Sequence, residues 1–466
     1  MRAAVCNITK LSLLGILMSL ALPLWAQSDP ADESGSDSDE AEPVQLRDRS
    51  RILYIDVPVP VIPGQEPEFP QAQFTSGAAQ SAELQDQTRI IEDYASAIND
   101  IERQGGAWDQ LLVEELTALG ALQQQQGQHL QATETLTRAL HVNRINSGLH
   151  AIDQVPVVEQ LIESYLALGD WANVDLYQNY LYYVQHRAYG GNDPRLIPVL
   201  NTLGLWNIEA FNLGFGEPLG IRLSTAQLLF ASAARMVGRY FGSEDERLVP
   251  YLRNIARSAY LVSQYPDYMR EVDGPEYRAS QQDLGRQLGF DRLRNPRGFG
   301  AGREALLEVV EYFQVQPGAE YELAEAVANL ADWNLIFERY RRAEELYGEA
   351  WKILAEQENS EELLERLFGQ VIPIPTFAQL PTNLLLGASD SQDKLGLQHD
   401  YADVRMDVGQ DGAPRRVEVI TEENEANDRQ LSRLRREVRD TVFRPLIVDG
   451  EIRESSGHVF RYRYWF

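Results

Sequence analysis

Gly190-Gly191-Asn192-Asp193-Pro194-Arg195-Leu196-Ile197-Pro198-Val199-Leu200-Asn201-Thr202-Leu203 returns as Gly242-Ser243-Glu244-Asp245-Glu246-Arg247-Leu248-Val249-Pro250-Tyr251-Leu252-Arg253-Asn254-Ile255. A fainter copy runs from Gly148 through Val155 and Pro156 to Leu161. Pro156 to Pro198 is 42 residues and Pro198 to Pro250 is 52, the same interval with an insertion of ten. A repeat of this length marks stacked supersecondary units, none of which buries its apolar face alone. The three prolines read as joints, each starting the helix that follows a loop. The expected fold class is therefore mostly α, a solenoid of helical hairpins.

Outward from this motif, helical periodicity extends from Glu83 to about Phe368. Leu116, Leu119, Gly120, Gly127, Ala132, Leu136, Ala139 and Leu140 have the spacing of two packed helices, with Gly127 at the turn and small residues at the close approach. Leu161, Tyr165, Gly169, Val174 and Leu181 repeat the pattern 42 residues on. The third unit has Leu203, Gly204 and Trp206, then Asn212 to Leu219 (NLGFGEPL), and resumes at Ala226, Phe230 and Ala233. That places the insertion between its two helices. Leu330, Ala331, Trp333, Tyr340, Ala343, Tyr347, Ala350 and Trp351 form a further copy within 324–357. These units resemble the tetratricopeptide repeat in its 42-residue, kinesin light chain-like form. The resemblance covers Leu111 to about Tyr260 and 324–357, and is lost from Ser263 to Gly302. It implies an array whose groove takes a protein or peptide, with its aromatic residues mostly in the core.

Two segments break the rhythm. Asn295-Pro296-Arg297-Gly298-Phe299-Gly300-Ala301-Gly302-Arg303 opens a helix expected from Glu304 to Phe313. It lacks a preceding strand and a following Lys-Ser/Thr, so it fails the phosphate-loop patterns and reads as a flexible helix entry. Val371 to Pro381 ends the array, because Pro373, Pro375 and Pro381 cannot continue a helix. Residues 370–400 read as linker.

The last 66 residues, 401–466, change period. Alternation over Tyr401–Val408 and Arg416–Thr421 around Gly409-Gln410-Asp411-Gly412 predicts a hairpin. Asn427 to Asp440 reads as a helix with Leu431, Leu434 and Val438 on one face. Phe443-Arg444-Pro445, a turn at Asp449-Gly450 and a final strand from Gly457 follow. This order of landmarks resembles the C-terminal domain of TonB, a small α+β domain of the periplasm that pairs by strand addition with a segment of an outer-membrane transporter. Carried over by position, the resemblance implies partner binding along Val459, Phe460, Arg461, Tyr462, Arg463, Tyr464 and Trp465. Main-chain hydrogen bonds would give affinity and alternate side chains specificity. A proline at Phe460 or Tyr462 is expected to abolish it. The chain departs from that family in lacking a Tyr-Pro opening, in the acidic Thr421–Ala426, and in carrying a helical array where a spacer would lie.

Arg2 and Lys10 precede an apolar run from Leu11 to Ala26, ending Pro23-Leu24-Trp25-Ala26-Gln27. A helix of this length is about 24 Å, short of the ~30 Å hydrocarbon core. Residues 1–26 thus read as a signal peptide cleaved after Ala26, the rival being an uncleaved anchor. Cys6, the single cysteine, lies inside it, so packing alone must stabilise the exported chain. Residues 27–82 read as a disordered acidic and Pro-rich linker, with a strand-like piece at Ile52–Val57 that could join a sheet edge or act as a plain tether. The helical repeat domain is then 83–369.

A net charge of −28 disfavours a nucleic-acid partner, since phosphate binding needs clustered Lys and Arg. The six histidines have no metal-ligand spacing, and no nucleophile turn is present, so neither metal nor cofactor is expected. Arg429, Arg433, Arg436 and Arg439 read as a solvated helix face or an acidic-partner contact. The expected function is a non-enzymatic periplasmic protein-binding adaptor or scaffold. The alternatives are a divergent TonB energy transducer with an uncleaved inner-membrane anchor, and a hydrolase whose site is assembled across helices.

Overall fold

Proline lacks an N–H and is tolerated in the first turn of a helix, where that N–H has no intrahelical acceptor. Pro156 and Pro198 take that place in the helices Val155–Leu168 and Ile197–Asn212. Each of these helices is preceded by a single 3-10 turn, Ile152–Gln154 or Pro194–Leu196. The repeated motif closes in the same way at both of its clear copies. Asp193 accepts hydrogen bonds from the backbone N–H and guanidinium of Arg195, whose charge lies 3.9 Å over the Tyr189 ring. Asp245 holds Arg247 likewise, 3.7 Å over Phe241. The hydrogen bonds from Arg195 hold the Asp193 carboxyl down at about 2.

This computed structural model describes residues 54–55, 58–62, 64, 81–216, 218–271, 274–288, 298–378, 398–421 and 428–465. The segment expected to be a signal peptide (1–26), the acidic segment, most of the Pro-rich stretch and most of the expected 370–400 linker lie outside them. In chain order, β1 (Tyr54–Ile55) and β2 (Val59–Pro60) precede the helices. These begin with α1 (Ser81–Gly105), α2 (Leu112–Gln125), α3 (His129–Ser147), α4 (Val155–Leu168) and α5 (Trp171–Tyr189). Next come α6 (Ile197–Asn212), α7 (Leu219–Tyr240), α8 (Leu248–Gln264), α9 (Pro266–Glu271) and α10 (Pro275–Gln287). The array ends with α11 (Phe299–Gln314), α12 (Glu320–Ile336), α13 (Tyr340–Ala355) and α14 (Ser360–Phe368). Then follow β3 (Ile372–Ile374), β4 (His399–Val408), β5 (Pro414–Val419) and α15 (Asp428–Asp440). The chain closes with β6 (Val442–Arg444), β7 (Leu446–Val448), β8 (Glu451–Arg453) and β9 (Ser455–Trp465). The fold is mostly α: about fourteen packed helices in consecutive hairpins, then an α+β region with an antiparallel sheet.

Two compact units divide the chain: residues 79–229 with 267–294, and residues 50–78 with 230–266 and 295–466. In the first, Leu116, Leu136, Leu140, Leu161, Val174 and Leu200 are buried, as the helical period requires. Its insertion, between α6 and α7, brings Phe215 6.4 Å from the Trp206 ring. Asp175 accepts from both the Trp206 indole (2.7 Å) and Arg222 (2.6 Å), so two hairpins meet on one carboxylate.

In the second unit, the Gly-rich entry is part of a helix. Residues from Phe299 on form the first turn of α11. A Cβ on Gly302 would lie 2.2 Å from a Trp333 ring carbon, so only glycine lets α11 approach that indole. Trp333 donates to the Phe299 carbonyl at 3.0 Å. The expected flexible loop is thus a close-packed contact over 299–302, while Asn295–Arg297 lie outside the described residues. The Pro-rich end of the array is also structured, since β3 pairs antiparallel with β6.

The main sheet has the order β1-β9-β4-β5, with β2 also on β9. The expected hairpin is β4–β5 and the expected helix is α15. Leu431, Leu434 and Val438 of α15 pack with Val404, Met406, Phe443, Phe460, Tyr462 and Tyr464. The β7–β8 hairpin turns at Asp449 and Gly450, which have φ of 53° and 78°, the left-handed pair that a two-residue turn of this kind needs.

Candidate functional site: the outer edge of the last strand

In a strand, successive side chains alternate between faces and successive peptide groups alternate between edges. β9 shows both alternations. Phe460, Tyr462 and Tyr464 point into the α15 core and are all but fully buried. On the other face Arg461 makes a two-point ion pair with Asp403, directly opposite on β4, at 2.7 and 2.9 Å. Arg463 lies 4.9 Å over the Trp465 ring, and both are buried. Val459 is partly buried and stands opposite Arg405. Six of the seven residues singled out in this strand therefore have side chains committed within the unit, and the strand offers chiefly its main chain.

The direction of that main chain follows from two hydrogen bonds. Val61 donates to the Val459 carbonyl at 2.8 Å, so Val459 and Arg461 turn their peptide groups towards β2. On the next strand, Ile420 donates to the Asp403 carbonyl at 2.9 Å, so Asp403 faces β5 while its neighbours face β9. Phe460 and Tyr462 accordingly bond to β4. A proline at either would remove a bond inside the sheet. The positions whose N–H serves the outer edge are Val459, Arg461, Arg463 and Trp465, the first two of them opposite β2 and its continuation.

That edge carries β1 and β2. Tyr54 and Ile55 pair with Trp465 and Tyr464, and Val59 and Pro60 pair with Arg461 and Phe460. From Ile55 to Val59 the chain advances four residues while β9 advances three from Tyr464 to Arg461, so the two short strands are offset by one residue in register. Ile55 packs on the α15 core, and Pro60 brings no donor to its pair. Comparison with family models and with curated proteins returned no match. The geometry of this edge thus stands on its own as the guide to function.

Electrostatics set off the ends of β9. Burial pushes the Tyr462 hydroxyl far up, and this oxygen has no hydrogen-bond partner among the described residues. Burial, with the Asp400 charge added, pushes Tyr464 up to about 12. Burial lowers His458, against the opposing charge of Asp407. Both tyrosines are neutral packing groups at physiological pH. The opposite edge of the sheet, β5, carries Pro414, Arg415, Arg416 and Glu418, and Arg416 has a φ of 51°. Charge and an irregular backbone are what keep an edge from pairing. Among the described residues no group of three or more His, Cys, Asp or Glu could hold a metal ion, and no helix is long and apolar enough to cross a membrane.

Sequence reasoning located β9 and missed which of its edges is available and what lies there. The signal was the strand-like run Ile52–Val57, which reads more simply as a plain tether in a disordered linker. The pairing of Tyr54–Ile55 and Val59–Pro60 with β9 corrects that reading, because the partner strand lies at the far end of the sequence and leaves no local mark.

Proposed function

We propose that the protein is a non-enzymatic adaptor of the periplasm, whose tetratricopeptide-like helical hairpins hold one protein or peptide and whose TonB C-terminal-like sheet takes an extended segment of an envelope protein along β9. The observation that supports this reading is the pairing of β9 with an extended segment through main-chain hydrogen bonds, on the edge opposite β4. A second support is the contrast between the two sides of the sheet: β5 is defended by charge, whereas the side of β9 away from β4 takes only the short strands β1 and β2. The buried aromatic face of β9 anchors the strand from beneath, so added segments meet a fixed template.

Sequencing the N-terminus of the mature protein in fractionated cells tests the compartment. Gln27 at the terminus in the soluble periplasm is the expected result. An intact Met1 chain in the inner membrane would mark an anchored transducer instead.

A further inference from the structure

We infer that β1 (Tyr54–Ile55) and β2 (Val59–Pro60), together with Val61, are a displaceable internal ligand of the β9 edge, and that the partner is an extended antiparallel segment of the same chemistry. This rests on the strand-addition reading above and adds what the edge binds and what regulates it. The required pattern can be read from the occupant. An aliphatic residue stands opposite Tyr464 and packs on the α15 core, as Ile55 does. A β-branched residue stands opposite Arg461, as Val59 does, and a donor stands opposite Val459, as Val61 does. The residue opposite Phe460 donates nothing, so proline is accepted there.

The occupant is held weakly for a strand. Its two paired stretches are two residues each, they are offset by one residue, and Pro60 and Ile62 are exposed. β4, by contrast, pairs with β9 from His399 to Val408. A tethered segment nonetheless competes at an effective concentration on the order of millimolar. It therefore covers the edge until a segment with more continuous pairing arrives, and it protects an exposed strand from unwanted association.

The test uses the full chain and a fluorescent synthetic peptide of residues 52–62. Binding to the natural chain is compared with binding to the Ile55→Asp/Val59→Asp variant, in which the internal segment no longer suits the edge. The variant should bind at least about tenfold tighter, the factor expected when a competitor at ~1 mM is removed from a site of ~0.1 mM affinity. Equal affinity for both chains overturns the internal-ligand inference and leaves strand addition standing. Absence of binding to both overturns strand addition as well. A second measurement needs no variant: saturating peptide should speed amide exchange at Val61 of the natural chain while Val459 and Arg461 stay protected. Unchanged protection of Val61 with peptide bound overturns the inference.

Discussion

Arg444 and Asp332 are 112 residues apart in the chain and 2.5 Å apart in the fold, with side chains 2 % and 0 % exposed. Arg444 belongs to the short strand β6 and Asp332 to the helix α12, so one ion pair ties the C-terminal sheet region to the end of the helical array within the second unit. The pair is fully dressed: the Tyr347 hydroxyl donates to Asp332 at 2.6 Å, and Arg444 also donates to the Leu367 carbonyl and to Asn329. Burial opposes the Arg444 charge, and the Asp332 carboxylate more than offsets it.

Removing one partner leaves the other charged and buried. Arg444→Ala or Asp332→Ala should destabilise the second unit by about 3–5 kcal/mol, whereas Arg444→Met with Asp332→Leu should recover most of that loss. Urea unfolding monitored by tryptophan fluorescence measures both. Equal losses in the single and double variants would mean that packing around the pair matters and the charges do not.

Gly302 leaves no room for a methyl group beside Trp333. Gly302→Ala should cost about 1–3 kcal/mol, because α11 or the indole must shift. Gly300, around which a Cβ meets nothing within 4 Å, is the control. Gly300→Ala should cost less than about 0.5 kcal/mol in the same unfolding experiment.

Proline scanning of β9 separates its two edges. Arg461→Pro removes the N–H that faces β2 and should release the internal segment while the β4–β9 pairing persists. Tyr462→Pro removes an N–H that faces β4 and should unfold the sheet. Amide exchange at Val404 reports the difference: protected in the first variant and lost in the second.

His458 gives the sheet a pH dependence. Burial lowers its pKa below the ordinary 6.5, so the folded protein favours the neutral ring, which shares a 2.7 Å hydrogen bond with Ser455. As pH falls below 6.5 the unfolded chain binds the proton first, and stability is lost down to the lowered folded value. The natural chain should therefore lose melting temperature relative to His458→Gln between pH 7 and pH 5, by less than about 2 °C since the ring is half exposed. A gain on acidification would contradict the sign.

Much of the helical fold was legible because its signals are local and repeated. The 42-residue interval fell on real joints, with α4 and α6 each starting beside their proline. The insertion near Asn212–Leu219 is placed correctly but is shared: α6 has 16 residues against 14 in α4, and α7 has 22 against 19 in α5. In the sheet, the Asp449-Gly450 turn and the alternation of β4 and β9 announced themselves. The Gly-rich entry was misread because Gly302 answers to Trp333, which no local pattern reveals. The same is true of β1, β2 and β3. Tyr54 meets Trp465 only when nearly the whole chain has folded between them, and a two-residue strand carries too little periodicity to name its partner.

The most direct measurement locks the edge. With the single native cysteine removed by Cys6→Ala, the Val59→Cys/Arg461→Cys chain places two thiols on directly paired residues, at a Cα separation of about 5.5 Å that a disulfide spans. Titration with the labelled 52–62 peptide should show no binding while the disulfide is closed, and binding at the affinity of the unlocked chain once it is reduced. Equal binding in the closed and reduced forms would place the docking site elsewhere and contradict the β9 edge as the surface through which this protein works.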